Sequence, residues 1–381
     1  MFRVNGFSFR KLRLFVVVFS VAAAPLAGIG AVHAQRASGI VDLKDYTVPF
    51  TPQNGGRDLR SLSVHPNGKD WVFVECREAD GGCMVMRYNI ESKQLIRFAL
   101  PSDYSYSYAH YSPKGTYILM NRVPIYGNSE EDALRAMKAS QLLMMRSDGT
   151  DLQILPVAAG VNLSPFMSPD ESRVAFWRGD RELSPGGPIS FGQLNIWEFD
   201  LSSKSEKLFT GKKFDFVTGG DLQYLGNDEL LVQSYGPGSR FRVPNYGIRY
   251  AYNEVFRLKR GQIDDPAPVM FPNTSYANHP SVDVAGSTYM WGATAKDRSQ
   301  GAIRFTKDGD QTIWRTRSVF VPKYMVVDPG GQYVAVIYRD LPQQRGAQEG
   351  GVAKLDLKSN SWTEVDVPPL EDAKLVPVSP D

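Results

Sequence analysis

Between residues 58 and 368 the chain alternates apolar and polar positions in short runs, and a turn signal follows nearly every run. SLSVHPNGKDWVFVE (61–75), YAHYSPKGTYILMNR (108–122), SPFMSPDESRVAFWR (164–178) and KYMVVDPGGQYVAVIYR (323–339) share one pattern. Each is a short strand, a turn holding a proline, and a strand rich in β-branched and aromatic residues. DLQYLGNDELLVQSYG (221–236) and PSVDVAGSTYMWGA (280–293) keep the strands and replace the proline turn. Period-two alternation is the mark of a strand, and the six turns recur at intervals of roughly 43 to 59 residues.

A second hairpin follows each copy. Its strands begin with MVMRYNI, QLLMMRS, LNIWEFDL, NEVFRLK, GAIRFTK and GVAKLDL, and turns of the types ESK, DGT, SSK, RGQ, DGD and KSN close them. Such turn residues between alternating apolar runs are strong hairpin signals. Six four-stranded meanders predict an all-β chain folded as a six-bladed β-propeller. A large β-sandwich would explain the turns but not the sixfold recurrence. One helix is expected, SEEDALRAMKAS (129–140), with Ser129 as its N-cap and acidic residues in its first turn. It reads as an insertion into blade two.

The remaining segments divide as a leader (1–34), an N-terminal extension (35–57), the propeller (58–368) and a C-terminal tail (369–381). Arg3, Arg10, Lys11 and Arg13 precede the apolar run LFVVVFSVAAAPLAGIG, and AVHA before Gln35 is a small-residue cleavage site. This is the layout of a secretory signal peptide. The run is broken by Pro25 and falls short of the roughly 20 residues that span a bilayer, so no membrane span is expected after cleavage. The expected location is the periplasm or the exterior.

Charge narrows the partners. Loss of the leader's four basic residues takes 43 basic against 41 acidic to 39 against 41, which gives no footprint for nucleic acid. Cys76 and Cys83, the two cysteines, flank the turn-forming READGG. In an exported chain they read as a disulfide pinning a hairpin, worth about 2.5 kcal/mol by loop closure. A metal site would need more ligands beside them. No cofactor and no metal are expected, and the protein reads as a monomer.

The Ser-Pro-Asp turn before VAFW at 168–177, followed by NIWEFDL at 195–201, resembles the TolB-type six-bladed propeller of bacterial envelopes. Copies at 65–74, 112–119 and 328–337 extend the likeness over about residues 58 to 368. The resemblance implies architecture only. Similar blades occur in translocation and interaction proteins, in the gating domain of prolyl oligopeptidase-like enzymes and in oligogalacturonate lyases. Peptidase relatives need a Gly-x-Ser-x-Gly elbow, which is missing here, and the lyase holds a divalent metal with histidines, whereas only His65, His110 and His279 follow the leader.

Candidate chemistry is sparse. DYSYSYAHYSPKG (103–115) raises an aromatic stripe. Tyr104 and Tyr106 fall at the entry into blade two, as packing or as a ligand platform. Tyr108 and His110 run along the inner strand, where core packing is the first reading. His65 takes the slot held by Ser112, Ser168 and Asp328 in sister blades, a turn-capping place. His279, at the entry to blade five, is the histidine best placed for a ligand, and Asp221 and Asp283 are scattered carboxylates near the mouth.

Long loops at 122–140, 178–193, 236–252 and 339–350 must share one face, and rigid scaffolds carry function on such loops. Arg77, Arg122, Arg178 and Arg339 stand at corresponding places near that rim, with Phe241, Tyr246 and Tyr250 among the loops. The expected function is a non-catalytic binding module that takes an envelope protein, an anionic glycan or a small anion at the mouth. The alternative is a glycan-active enzyme, a lyase or hydrolase on an acidic oligosaccharide, with the arginines on carboxylates and a tyrosine or His279 as base.

Overall fold

The computed structural model describes residues 39–42, 58–77, 82–125, 129–179, 181–182, 190–191, 194–216, 220–234, 254–266, 269, 274–294, 300–316, 320–340 and 350–379. All lie in the compact unit Arg36–Asp381. The chain is a six-bladed β-propeller. Blade one runs Asp58–Val64, Asp70–Arg77, Gly82–Asn89 and Gln94–Ala99, each strand antiparallel to the next. The other five repeat that meander, from Tyr104–Tyr111 in blade two to Ser361–Glu364 in blade six. The fourth strand of blade four is only partly described, where the Val269 amide bonds the Val255 carbonyl.

Both faces of each sheet are buried, because each blade packs against two neighbours. Among the described residues six apolar clusters form, one at each junction. Phe73, Trp71 and Met86 of blade one meet Tyr333, Ala335 and Ile337 of blade six. Between blades three and four, Trp177 and Ile196 face Tyr224 and Phe256. This is why the second strands, such as Arg173–Gly179 and Glu229–Ser234, read as nearly continuous apolar runs.

The helix is Glu130–Lys138, capped by Ser129, whose hydroxyl accepts from the Asp132 amide while the Asp132 carboxylate accepts from the Ser129 amide. It is an insertion in blade two, as its sequence indicates. Cys76 and Cys83 are register partners on adjacent strands and are joined by a disulfide.

The chain ends are where sequence was silent. Gly39–Asp42, inside the stretch read as an extension, pairs in parallel with Gln311–Thr316 and adds a fifth strand to blade five. Lys374–Pro377 pairs in parallel with Gln94–Ala99 and adds one to blade one. Between blade six and that last strand the chain crosses the junction, burying Val367 and Leu370 in the blade one–six cluster. Arg77 reaches Glu371 at 2.8 Å, and the Tyr88 hydroxyl donates to the Asp366 carbonyl at 2.9 Å. The ring is thus closed by packing, by Trp71 Nε1 donating to the Tyr333 hydroxyl at 2.8 Å, and by this C-terminal strap.

Candidate functional site in the central channel

Five of the six inner strands carry an irregularity at the level that faces the channel. The pairing of first and second strands shifts register at Ser61 in blade one, Tyr108 in blade two, around Ser164 in blade three and beyond Asn278 in blade five. Ser61, Tyr108, Ser164 and His279 all take positive φ, between 51° and 70°. Blade six shifts between Pro322 and Tyr324. A bulge re-aims a side chain, and a non-glycine residue in this backbone region costs of order 1 kcal/mol or more, so the surroundings must hold it.

The holding groups are visible. Ser61 Oγ donates to the Ala109 carbonyl and accepts from its amide, both at 3.0 Å, stitching blade one to blade two. The His279 amide donates to Gln233 Oε1 at 2.6 Å. Blade four supplies Asp221 to the same layer. Its approach depends on Gly220, because a Cβ there would stand 2.7 Å from the Gln233 carbonyl oxygen.

The bulge breaks the aromatic stripe into two sets. Tyr106, Ala109 and Tyr111 turn into the core between blades one and two. Tyr108 and His110 point the other way and stack, ring centroids 4.4 Å apart, with Phe166 5.5 Å from His110. Strict alternation would have placed Tyr104, Tyr106, Tyr108 and His110 on one face. The extra residue at Tyr108 prevents it.

Electrostatics in this layer are unusual. Asp221 Oδ2 lies 2.9 Å from His279 Nδ1, with both side chains largely buried. In the neutral imidazole, an Nδ1–H donated to Asp221 leaves Nε2 as an acceptor. The Tyr108 hydroxyl is sealed from solvent, faces Asp221 and the Leu222 backbone, and closes no hydrogen bond of normal geometry with a described residue. Burial, reinforced by the Asp221 charge, holds that phenol well above its ordinary pKa. Burial also lowers His110 to about 4 against the opposing pull of Asp221, so it is neutral at pH 7. Tyr324 is raised to about 12 by burial and by Asp221.

Asp221, His110 and Tyr324 line a cavity of about 430 Å³ with Phe166 and Tyr224. It opens among the first-to-second-strand turns, where Pro66, Pro113, Pro169 and Pro329 form the mouth with Lys114 and Lys307. By topology this is the face opposite the long loops. His279 and Tyr108 stand behind the wall, the first holding Asp221 in place and the second facing it.

The other sequence candidates sit elsewhere. Arg122 is buried, stacks 3.8 Å from the Tyr104 ring centroid and donates to Gln141 Oε1 at 2.9 Å. Arg178 holds Glu206 through two bonds of 2.7 and 2.6 Å, donates to Asn162 and packs on Trp197. Arg77 bridges Glu75 and Glu371. Arg339 lies in the strand Tyr333–Asp340, paired with Val321 and Gly350. Phe241, Tyr246 and Tyr250 fall outside the described residues. Tyr104 and Tyr106 line a second cavity of about 340 Å³ at the long-loop end of blades one and two.

His65 caps its turn, its Nδ1 accepting from the Asn67 amide at 3.0 Å, as Ser112, Ser168, Asp283 and Asp328 do in theirs. Sequence reasoning passed over Gln233 and Tyr324. A signal for the channel layer was present: four residues before these five caps stand Ser61, Tyr108, Ser164, His279 and Tyr324.

No protein-family model matches the sequence, and no curated protein does either. Solved structures do match in fold. TolB from Acinetobacter baumannii is 13% identical over 80% of this chain and 64% of its own, with a TM-score of 0.54. The fold is a TolB-like six-bladed propeller. An oligogalacturonate lyase from Vibrio parahaemolyticus is 8% identical over 82% of this chain and 79% of its own, TM-score 0.51. A puromycin-hydrolyzing peptidase from Mycobacterium tuberculosis is 13% identical over 87% of this chain and 58% of its own, TM-score 0.50. The chain thus spans less than two thirds of the TolB and of the peptidase, and at these identities the likeness is one of fold. A second oligogalacturonate lyase is described in complex with manganese (8% identity over 87% of this chain and 86% of its own, TM-score 0.50). Among the described residues here, no group of three or more His, Cys, Asp or Glu is arranged to hold a metal ion. No helix among them is long and apolar enough to cross a membrane.

Proposed function

We propose that this protein is an exported, non-catalytic binding propeller whose ligand is an acidic oligosaccharide entering the central channel from the turn face. The observation that carries this reading is the wall of Asp221, His110 and Tyr324 at the inner end of a 430 Å³ cavity, backed by the bulged residues Tyr108 and His279. A concave site with apolar walls and a few fixed polar groups is the usual form of a small-ligand site. Aromatic rings offer flat apolar faces to sugar rings, and Asp221 offers a fixed hydrogen-bond acceptor to hydroxyl groups. Lys114 and Lys307 at the mouth favour an anion.

The long-loop arginines contribute less to this reading than their sequence suggests. Arg122 and Arg178 are engaged by Tyr104, Gln141, Asn162 and Glu206, so recruiting them for a ligand means breaking those contacts. Export rests on the leader sequence, and the periplasm is the location proposed.

A second reading, an enzyme on the same class of oligosaccharide, is favoured by the Asp221–His279 pair beside a protonated phenol. That is a carboxylate–imidazole couple with an acid close by. One experiment separates the two. Calorimetric titration with tri-galacturonate and with a neutral trisaccharide should show binding of the acid alone, and chromatography afterwards should return it intact. Cleaved product establishes the enzyme. Binding of neither sugar, or equal binding of both, overturns the proposal.

A further inference from the structure

The second cavity carries a separate inference. It holds about 340 Å³ and lies where the outer strands of blade one meet the entry of blade two. Its walls come from Met84, Phe98, Leu100, Pro101, Tyr104 and Ile125. Five large hydrophobic side chains are exposed among the described residues, and two of them, Ile125 at 38% and Leu375 at 54%, edge this one cavity. The apolar surface therefore continues from the cavity onto its rim.

One cation stands in that wall. Arg97, on the strand Gln94–Ala99, is half-buried, and its Nη1 donates to Met84 Sδ at 3.8 Å. A thioether is a weak acceptor, and a guanidinium carries five donors. Among the described residues, no acidic side chain comes within salt-bridge distance of Arg97. That sets it apart from Arg77 and Arg178, each of which holds a glutamate. Two other guanidiniums nearby are engaged: Arg122 is stacked on Tyr104 and bonded to Gln141, and Arg87 lies 5.9 Å from the Phe98 ring centroid and donates to the Ser147 carbonyl.

An arginine that no described acid reaches, set in an apolar cavity with an apolar rim, is complementary to one kind of small molecule. We propose that this cavity binds an amphiphile with an alkyl or aromatic body and a single carboxylate, the carboxylate paired to Arg97 and the body lying beside Met84 and Leu375, which share Arg97's face of the sheet. The volume is at the lower end of the roughly 300–1,000 Å³ of ligand sites, which suits a molecule of this size rather than a macromolecule. The carboxylate is what decides orientation, since guanidinium–carboxylate pairs are charge-assisted and can be bidentate. This site is independent of the channel proposal, which involves other residues on the opposite face.

The test uses the whole exported chain and decanoate, below its micelle concentration, with decanamide as the uncharged partner. Calorimetry should show saturable binding of decanoate, with decanamide at least tenfold weaker. Arg97→Met keeps an apolar side chain beside Met84 and should weaken decanoate at least tenfold while leaving decanamide within twofold. Equal binding of the two probes by the wild-type protein overturns the inference, as does no decanoate binding, and neither result depends on the variant folding. Unchanged decanoate affinity in Arg97→Met would show that a different group holds the carboxylate and would overturn it as well.

Discussion

Replacing His110 by phenylalanine should flatten the acid side of the stability profile between pH 6.5 and 4. The imidazole is held neutral inside the channel because burial disfavours its charged form, with Asp221 opposing, and the outcome is a value of about 4 against an ordinary 6.5. Between those pH values the unfolded chain takes up a proton at this position that the folded chain refuses. Stability therefore rises with pH across the window and is lost as pH falls through it. A shift of about 2.5 units at about 1.4 kcal/mol per unit gives a loss of about 3 kcal/mol by pH 4, after which both states are protonated and the loss stops growing. For a domain of this length that is about 4 °C in melting temperature.

Phenylalanine preserves a ring between Tyr108 and Phe166 and cannot bind the proton, so the variant should lack this limb. The turn carboxylates Asp148, Asp200 and Asp356 are held low by the amides and hydroxyls of Thr150, Ser203 and Ser359. Their contributions are lost as pH falls through and below about 4, outside the window. Calorimetric melting of both proteins at pH 7, 6, 5 and 4.5 gives the difference directly. Parallel curves would refute the reasoning and mean that the folded chain takes up the proton at His110 as readily as the unfolded one.

Four further outcomes follow from the scaffold. Asp170, whose carboxylate burial alone would raise, is instead held at about 2 by bonds from Ser168 and Ser172; Asp170→Ala should cost about 1 kcal/mol in denaturant unfolding and leave ligand affinity unchanged. Leu370→Ala removes a buried side chain of the C-terminal strap and should cost about 2–4 kcal/mol, whereas Leu375→Ala, at an exposed place on the same strap, should cost under about 0.5 kcal/mol. Arg178→Ala leaves Glu206 partly buried without its partner and should cost about 1–3 kcal/mol, more than an exposed pair would. Mass spectrometry without reductant should find Cys76 and Cys83 joined, and Cys83→Ser should lower stability by about 2–3 kcal/mol.

Much of the architecture was legible because a propeller writes itself six times. A turn such as SPDESR needs a cap, a proline and a restart of the strand, and each blade repeats those needs, so the periodicity reports the fold directly. The capping histidine His65 was recognisable for the same reason. Parallel strand addition by Gly39–Asp42 and Lys374–Pro377 leaves no such mark, since four residues at a sheet edge look like any loop. The candidate site was obscured by a single feature. One extra residue in the inner strand of blade two shifts the alternation, so Tyr106 and Tyr108, which read as neighbours on one face, end in the core and in the channel. Arginines at corresponding rim positions looked available because sequence does not show that Glu206 and Gln141 stand beside them.

The channel proposal is tested most directly by one calorimetric comparison. Tri-galacturonate is titrated into the wild-type protein, into Asp221→Asn, and into the double variant Arg122→Ala/Arg178→Ala. With its amide oxygen kept on His279, asparagine presents an N–H donor where the carboxylate offered the sugar hydroxyls an acceptor, so the fold is expected to persist while affinity falls at least tenfold, about 1.4 kcal/mol, in spite of the negative charge removed from the wall. The arginine double variant should be destabilised yet bind within threefold of wild type. The opposite pattern, full affinity in Asp221→Asn with loss in the arginine variant, would contradict the account and place the ligand on the long-loop face.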